Sequence, residues 1–81
     1  MALTIYGKPE CTDWARSRSL LDSHGLGYDF KDIIASEGDA QTAQAISGGP
    51  SSPVIVFTDG SFLVEPSDES LTEALSHHGM I

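Results

Sequence analysis

One cysteine, four basic residues and six aromatic side chains are all that this 81-residue chain has of the residue types that most often carry chemistry. A solitary thiol, Cys11, excludes an internal disulfide framework and a cysteine-built metal cluster within one chain, and it predicts a reducing, cytoplasmic setting. Twelve acids against the four bases give a formal charge of −8, which repels nucleic acid and anionic membrane surfaces and excludes both as partners. The longest apolar run, Val54-Ile55-Val56-Phe57, is too short to span a bilayer. Met1-Ala2-Leu3-Thr4 offers neither the cationic start nor the apolar stretch of a signal peptide. No phosphate-binding glycine loop, dinucleotide fingerprint, HExxH pair or nucleophile elbow occurs, so nucleotide-binding and hydrolase readings lack support. His77 and His78 are adjacent and so point to different sides of a helix, which suits a favourable C-terminal charge better than a metal site. The chain length allows one domain, residues 1–81, burying roughly 60% of its unfolded surface.

What is present is clear punctuation. Leu3-Thr4-Ile5-Tyr6 reads as a strand, the turn Gly7-Lys8-Pro9-Glu10 follows, and a helix runs from about Cys11 to His24, stopped by Gly25. Tyr28-Asp29-Phe30-Lys31-Asp32-Ile33 alternates in the strand period. Ser36 or Asp39 caps a second helix carrying Ala40, Ala43 and Ile46, which ends at Gly48-Gly49. Val54 to Phe57 and Phe62 to Val64 look buried throughout, and the Thr58-Asp59-Gly60-Ser61 segment between them predicts a hairpin. Ser67 caps a last helix with Leu71 and Leu75 on its inner stripe, and Gly79 closes it. The order βαβαββα predicts an α/β fold of thioredoxin-like topology, a four-stranded mixed sheet flanked by helices.

Cys11 stands where a strand delivers it to a helix start. The unpaired N–H groups and positive dipole end there favour the thiolate, which is the reactive form. The charges around it compete. Lys8, Arg16 and Arg18 make this the least negative part of the chain, whereas Glu10 and Asp13 are like charges for a thiolate. Polar Glu10, Thr12 and Asp13 argue against the apolar burial usual for a lone cysteine. Trp14, three residues on, fits a core position of the first helix or, with Arg18 and Asp22 at i, i+4 spacing, an ordered ridge beside the thiol. Ser51-Ser52-Pro53 precedes the third strand, where a proline serves as a boundary device or turns its backbone toward a bound thiol compound.

Tyr6-Gly7-Lys8-Pro9-Glu10-Cys11, Tyr28-Asp29-Phe30-Lys31-Asp32-Ile33 and Ser52-Pro53-Val54-Ile55-Val56 together resemble the glutaredoxin family across the whole domain. Within it, Gly48-Gly49, Asp59-Gly60-Ser61 and Pro66-Ser67 are most similar to the actinobacterial mycoredoxins, which use mycothiol where other organisms use glutathione. The resemblance implies a thiol–disulfide oxidoreductase with Cys11 as nucleophile, a cis Ser52–Pro53 backbone clamp, Ser67 and Asp68 as a second rim and Lys8 near the thiolate. Lys8, Thr12, Asp13, Trp14, Ser52, Pro53, Ser67 and Asp68 then make up the substrate-binding set, with no metal and no tightly bound cofactor. Mycothiol or glutathione is the implied cosubstrate, mixed disulfides are the implied partners, and the protein is expected to be a monomer. The chain departs from the family at Cys11-Thr12-Asp13-Trp14, where Trp14 replaces the usual second cysteine or serine. That leaves a monothiol route or, alternatively, a catalytically degenerate binding or redox-sensing module. Iron–sulfur carriage is disfavoured, because Thr12 and Trp14 crowd the approach a shared cluster needs.

Overall fold

The structure, a computed structural model, describes residues 3–81. Met1 and Ala2, on which the reading of the chain start and the first positions of the domain fall, lie outside the described residues. The elements are β1 (Leu3–Gly7), α1 (Thr12–Ser23), β2 (Tyr28–Asp32), α2 (Glu37–Ser47), β3 (Val54–Val56), β4 (Phe62–Val64) and α3 (Asp68–His77). They follow the βαβαββα order. The sheet order is β2-β1-β3-β4, with β1 and β2 parallel and β1–β3 and β3–β4 antiparallel.

Local chemistry sets the helix ends. Ser36, rather than Asp39, caps α2, its Oγ accepting the Asp39 N–H at 3.2 Å, and Gly48 leaves the helix in the left-handed region at φ 81°. Ser67 caps α3 in the same way, accepting the Ser70 N–H at 3.1 Å. Each cap contributes about 1 kcal/mol by satisfying an N–H that the helix leaves unpaired. Beneath the helices, Leu3 and Ile5 of β1, Ile55 of β3, Leu21 of α1 and Leu71 and Leu75 of α3 form a buried core joined by Trp14 and Phe57. This anchors the C-terminal end of β1, and with it the turn that carries Cys11.

Two expectations about the C-terminal half need correcting. Phe62 and Val64 are not buried but 42% and 36% exposed, because they lie on the face of edge strand β4 opposite to Leu63, which packs against the core. His78 is more than a helix-end charge. Its ring stacks on Phe57 at 4.1 Å between centroids, and its Nε2 lies 3.2 Å from Ser61 Oγ in the β3–β4 turn. The Ser61 hydroxyl donates to Asp59 Oδ1 at 2.6 Å, so its proton is committed to the carboxylate and Ser61 is not poised as a base-activated nucleophile.

That turn makes a pH prediction. Hydrogen bonds from the Ser61 hydroxyl and the Ser61 N–H, together with the nearby His78, hold the Asp59 carboxyl below its ordinary value. A carboxyl depressed in the folded state contributes stability that is present above its unfolded value and lost as pH falls through the folded one. Asp59→Asn is therefore expected to flatten the stability curve below about pH 4 in equilibrium unfolding. An acid limb as steep as that of the parent chain contradicts this.

Candidate functional site

Cys11 is the residue before α1 and acts as its N-cap, with extended backbone (φ −75°, ψ 131°) and no capping hydrogen bond from its side chain. The turn before it is closed by the Cys11 N–H donating to the Lys8 carbonyl at 3.1 Å, while the Cys11 carbonyl accepts the Ala15 N–H at 3.0 Å. The thiol is thus fixed at the helix start, partly exposed, and unengaged by the cap. It opens into a cleft of about 720 Å³ lined by Lys8, Pro9, Glu10, Cys11, Thr12, Asp32 and Ile34. Lys8 and Thr12, two residues of the expected binding set, are therefore beside the thiol.

Ser52 and Pro53 are reached through the sheet. Tyr6 pairs with Val54, so the Ser52–Pro53 bond, which is cis, lies next to Gly7 at the end of β1. A Cβ at Gly7 would stand 3.5 Å from Pro53 Cβ and 3.4 Å from the Phe30 ring, which is ordinary van der Waals contact and shows how closely Pro53 packs on the end of β1. Ser52 and Pro53 are both buried, Ser52 at 8% exposure. The Pro53 carbonyl accepts the Glu65 N–H at 2.9 Å, which ties this loop to the residues entering α3, while Ser52, Pro53, Ser67 and Asp68 of the expected binding set do not line the Cys11 cleft. Glu65 takes φ 47°, a left-handed conformation that a glycine would have signalled and that a glutamate conceals in the sequence.

Asp13 and Asp68 are joined by a residue that the sequence reading left outside the site. Arg16 places Nη2 3.4 Å from Asp13 Oδ1 and Nε 3.7 Å from Asp68 Oδ1, spanning the starts of α1 and α3. Asp13 is consequently a partly neutralised charge rather than a free one facing the thiol. All three side chains are about half exposed, and pairs of this kind are worth ~0–1 kcal/mol.

Trp14 resolves to the core alternative. Its side chain is 2% exposed, stacked on Phe30 at 4.9 Å and edge-on to Tyr28 at 5.3 Å. The ridge with Arg18 and Asp22 does not form. Among the described residues no ion pair joins Arg18 to Asp22, whose Oδ1 instead accepts from the Tyr28 hydroxyl at 3.4 Å. Burial, followed by the Asp22 charge, raises the Tyr28 phenol above its ordinary value and keeps it a donor to that carboxylate. Sequence reasoning missed Asp32 and Ile34, which line the cleft. Asp32 Oδ1 accepts the Ile34 and Ala35 N–H groups at 2.8 and 3.1 Å, an aspartate turn that starts the β2–α2 loop and for which only the residue type was a signal. Among the described residues, no group of three or more metal-ligating side chains is brought together.

A thiol at the N-cap of the first helix and a cis Ser52–Pro53 bond before β3, on a β2-β1-β3-β4 sheet, define a thioredoxin-like fold. The comparisons narrow the class. The sequence model of the family "Glutaredoxin" matches residues 3–63. A protein of Mycobacterium tuberculosis strain H37Rv provisionally named a glutaredoxin is 32% identical over 75 residues, covering 91% of this chain and 89% of that one. Among solved structures, glutaredoxin Grx-1 of Archaeoglobus fulgidus superposes with TM-score 0.77 at 26% identity, over 90% of this chain and 85% of that one. The Brucella melitensis glutaredoxin gives TM-score 0.68 at 25% identity, over 98% and 82%. The chain belongs to the glutaredoxin family, whose members are thiol–disulfide oxidoreductases acting on glutathione and mixed disulfides. No helix among the described residues is long and apolar enough to cross a membrane.

Proposed function

We propose that this protein is a monothiol transferase of the mycoredoxin type, working as a cytoplasmic monomer. The Cys11 thiolate attacks the small-thiol sulfur of a protein mixed disulfide, forming a Cys11–small-thiol disulfide and releasing the protein thiolate. A second small thiol then attacks that adduct as its thiolate, releasing the oxidised small-thiol dimer and regenerating the Cys11 thiolate. The net exchange converts one protein mixed disulfide and one free small thiol into one protein thiol and one oxidised small-thiol dimer, and one protein cysteine is sufficient. The observation that carries this reading is the solitary thiol held at the α1 N-terminus in an open cleft, with a buried indole where a second thiol would stand.

The remaining residues have positioning roles in this proposal. The Ser52–Pro53 backbone clamps the small thiol, Ser67 and Asp68 form the far rim, Lys8 lies near the developing thiolate, and Thr12 and Asp13 line the turn. Trp14 acts from beneath, holding α1 against β2.

Charge separates the two candidate thiols. Oxidised glutathione is an anion and mycothiol disulfide is uncharged, while the chain carries a formal −8. Repulsion slows the anion at low salt and is screened as the Debye length falls to about 10 Å at 0.1 M ionic strength. Measured as the rate of Cys11 adduct formation, the reaction with oxidised glutathione is expected to accelerate several-fold with added salt. The reaction with mycothiol disulfide is expected to be faster and nearly flat. A faster reaction with glutathione at low salt contradicts the mycothiol assignment.

A further inference from the structure

β1 lies between β2 and β3, so the loops at the ends of those two strands flank the Cys11 turn on opposite sides. The two flanks differ in chemistry. On the β3 side are the Ser52–Pro53 backbone and the capped start of α3, polar groups suited to a small hydrophilic thiol. On the β2 side the cleft wall is Pro9 and Ile34, and Ile34 is 71% exposed, the most exposed large apolar side chain among the described residues.

Ile34 is held there rather than left loose. The Asp32 carboxylate accepts the Ile34 N–H at 2.8 Å and the Ala35 N–H at 3.1 Å, which fixes the backbone that presents the side chain. Beyond Pro9 and Asp32, which line both spaces, a second cavity of about 380 Å³ continues over Trp14, Tyr28 and Phe30, with Arg18 at its edge. The charges along this flank offset one another, Lys8 and Arg18 against Glu10 and Asp32, so selection there is by apolar contact.

A mixed disulfide has two halves, and Cys11 has two flanks. We infer that the β2 flank, from Ile34 across Pro9 to the partly exposed Tyr28 and Phe30, docks the protein half of the mixed disulfide, and that Ile34 selects polypeptide segments with an apolar side chain beside the disulfide cysteine. This rests on the thiol-transfer reading and adds a specificity-determining residue to it. Burying a largely exposed isoleucine against an apolar partner is expected to change affinity by about ten-fold.

The test uses two short peptides, identical except for leucine or serine next to the cysteine, each as a mixed disulfide with the same small thiol. A third substrate, the mixed disulfide of that thiol with 2-mercaptoethanol, has no polypeptide to dock and reports the chemistry alone. The parent chain is expected to favour the leucine peptide about ten-fold in kcat/KM, through KM. Ile34→Ser is expected to bring the two peptides within about two-fold, and Ile34→Leu to restore the preference. Turnover of all three substrates with no leucine preference, or a preference that survives Ile34→Ser, overturns the docking assignment and leaves the thiol-transfer reading standing. Failure to turn over any of the three overturns both.

Discussion

Cys11→Ser is expected to abolish thiol transfer, to below one-thousandth of the parent rate, while leaving the fold intact. A serine hydroxyl is not ionised at neutral pH and forms no disulfide, so no second route remains in a chain with one cysteine. The structural cost is small. Cys11 is partly exposed, its side chain makes no capping hydrogen bond, and serine is a favoured N-cap residue, so the variant is expected to match or slightly exceed the parent in thermal stability. Activity on a small mixed disulfide, measured beside the unfolding curve, checks both halves. Retention of most activity in the folded variant removes Cys11 from the mechanism.

The second large effect falls on stability. Trp14 is 2% exposed and packed between Phe30 and Tyr28, so Trp14→Ala loses a buried indole and leaves a cavity, at a cost of about 3–5 kcal/mol. At roughly 0.05–0.15 kcal/mol per residue, a domain of this size has only about 4–12 kcal/mol in total. The variant is expected to be largely unfolded or to lose most of its denaturant midpoint, whereas Trp14→Phe retains a substantial part of it. A cost for Trp14→Ala below about 1 kcal/mol would show that the indole is not core packing and would reopen a direct role at the substrate cleft.

This result also bears on the missing second thiol. A cysteine at position 14 would have to replace an aromatic side chain on which the α1–β2 contact depends. The monothiol character of the chain is therefore built into its packing.

The fold was legible because its boundaries are written in local chemistry. Gly25 and Gly48 end helices with positive φ, Ser36 and Ser67 cap them, and Asp59-Gly60 turns the hairpin. Cys11 was legible for a similar reason, since a turn and a helical pattern locate an N-cap without any tertiary information. What escaped depends on contacts distant in the chain. An apolar triplet such as Phe62-Leu63-Val64 reads alike whether both of its faces are covered or one, and only the packing of Leu63 on the core shows that Phe62 and Val64 take the open face. His78 meets Phe57 and Ser61 across more than fifteen residues, and Arg16 meets Asp68 across fifty-two, so neither pairing has a sequence period that reveals it. Trp14 was ambiguous because helical spacing places it beside both the core and the thiol. The aromatic side chains of β2 decided in favour of the core.

Mass spectrometry of the intact protein during turnover tests the central claim most directly. The chain is incubated with a protein mixed disulfide of mycothiol or glutathione and then with the free small thiol. The account predicts a single small-thiol adduct on Cys11, appearing as the protein thiol is released and disappearing when the second thiol is added, with the oxidised small-thiol dimer as product. An adduct that forms but is not removed contradicts transfer and identifies the chain as a redox-sensing module, and the absence of any adduct contradicts Cys11 as a nucleophile.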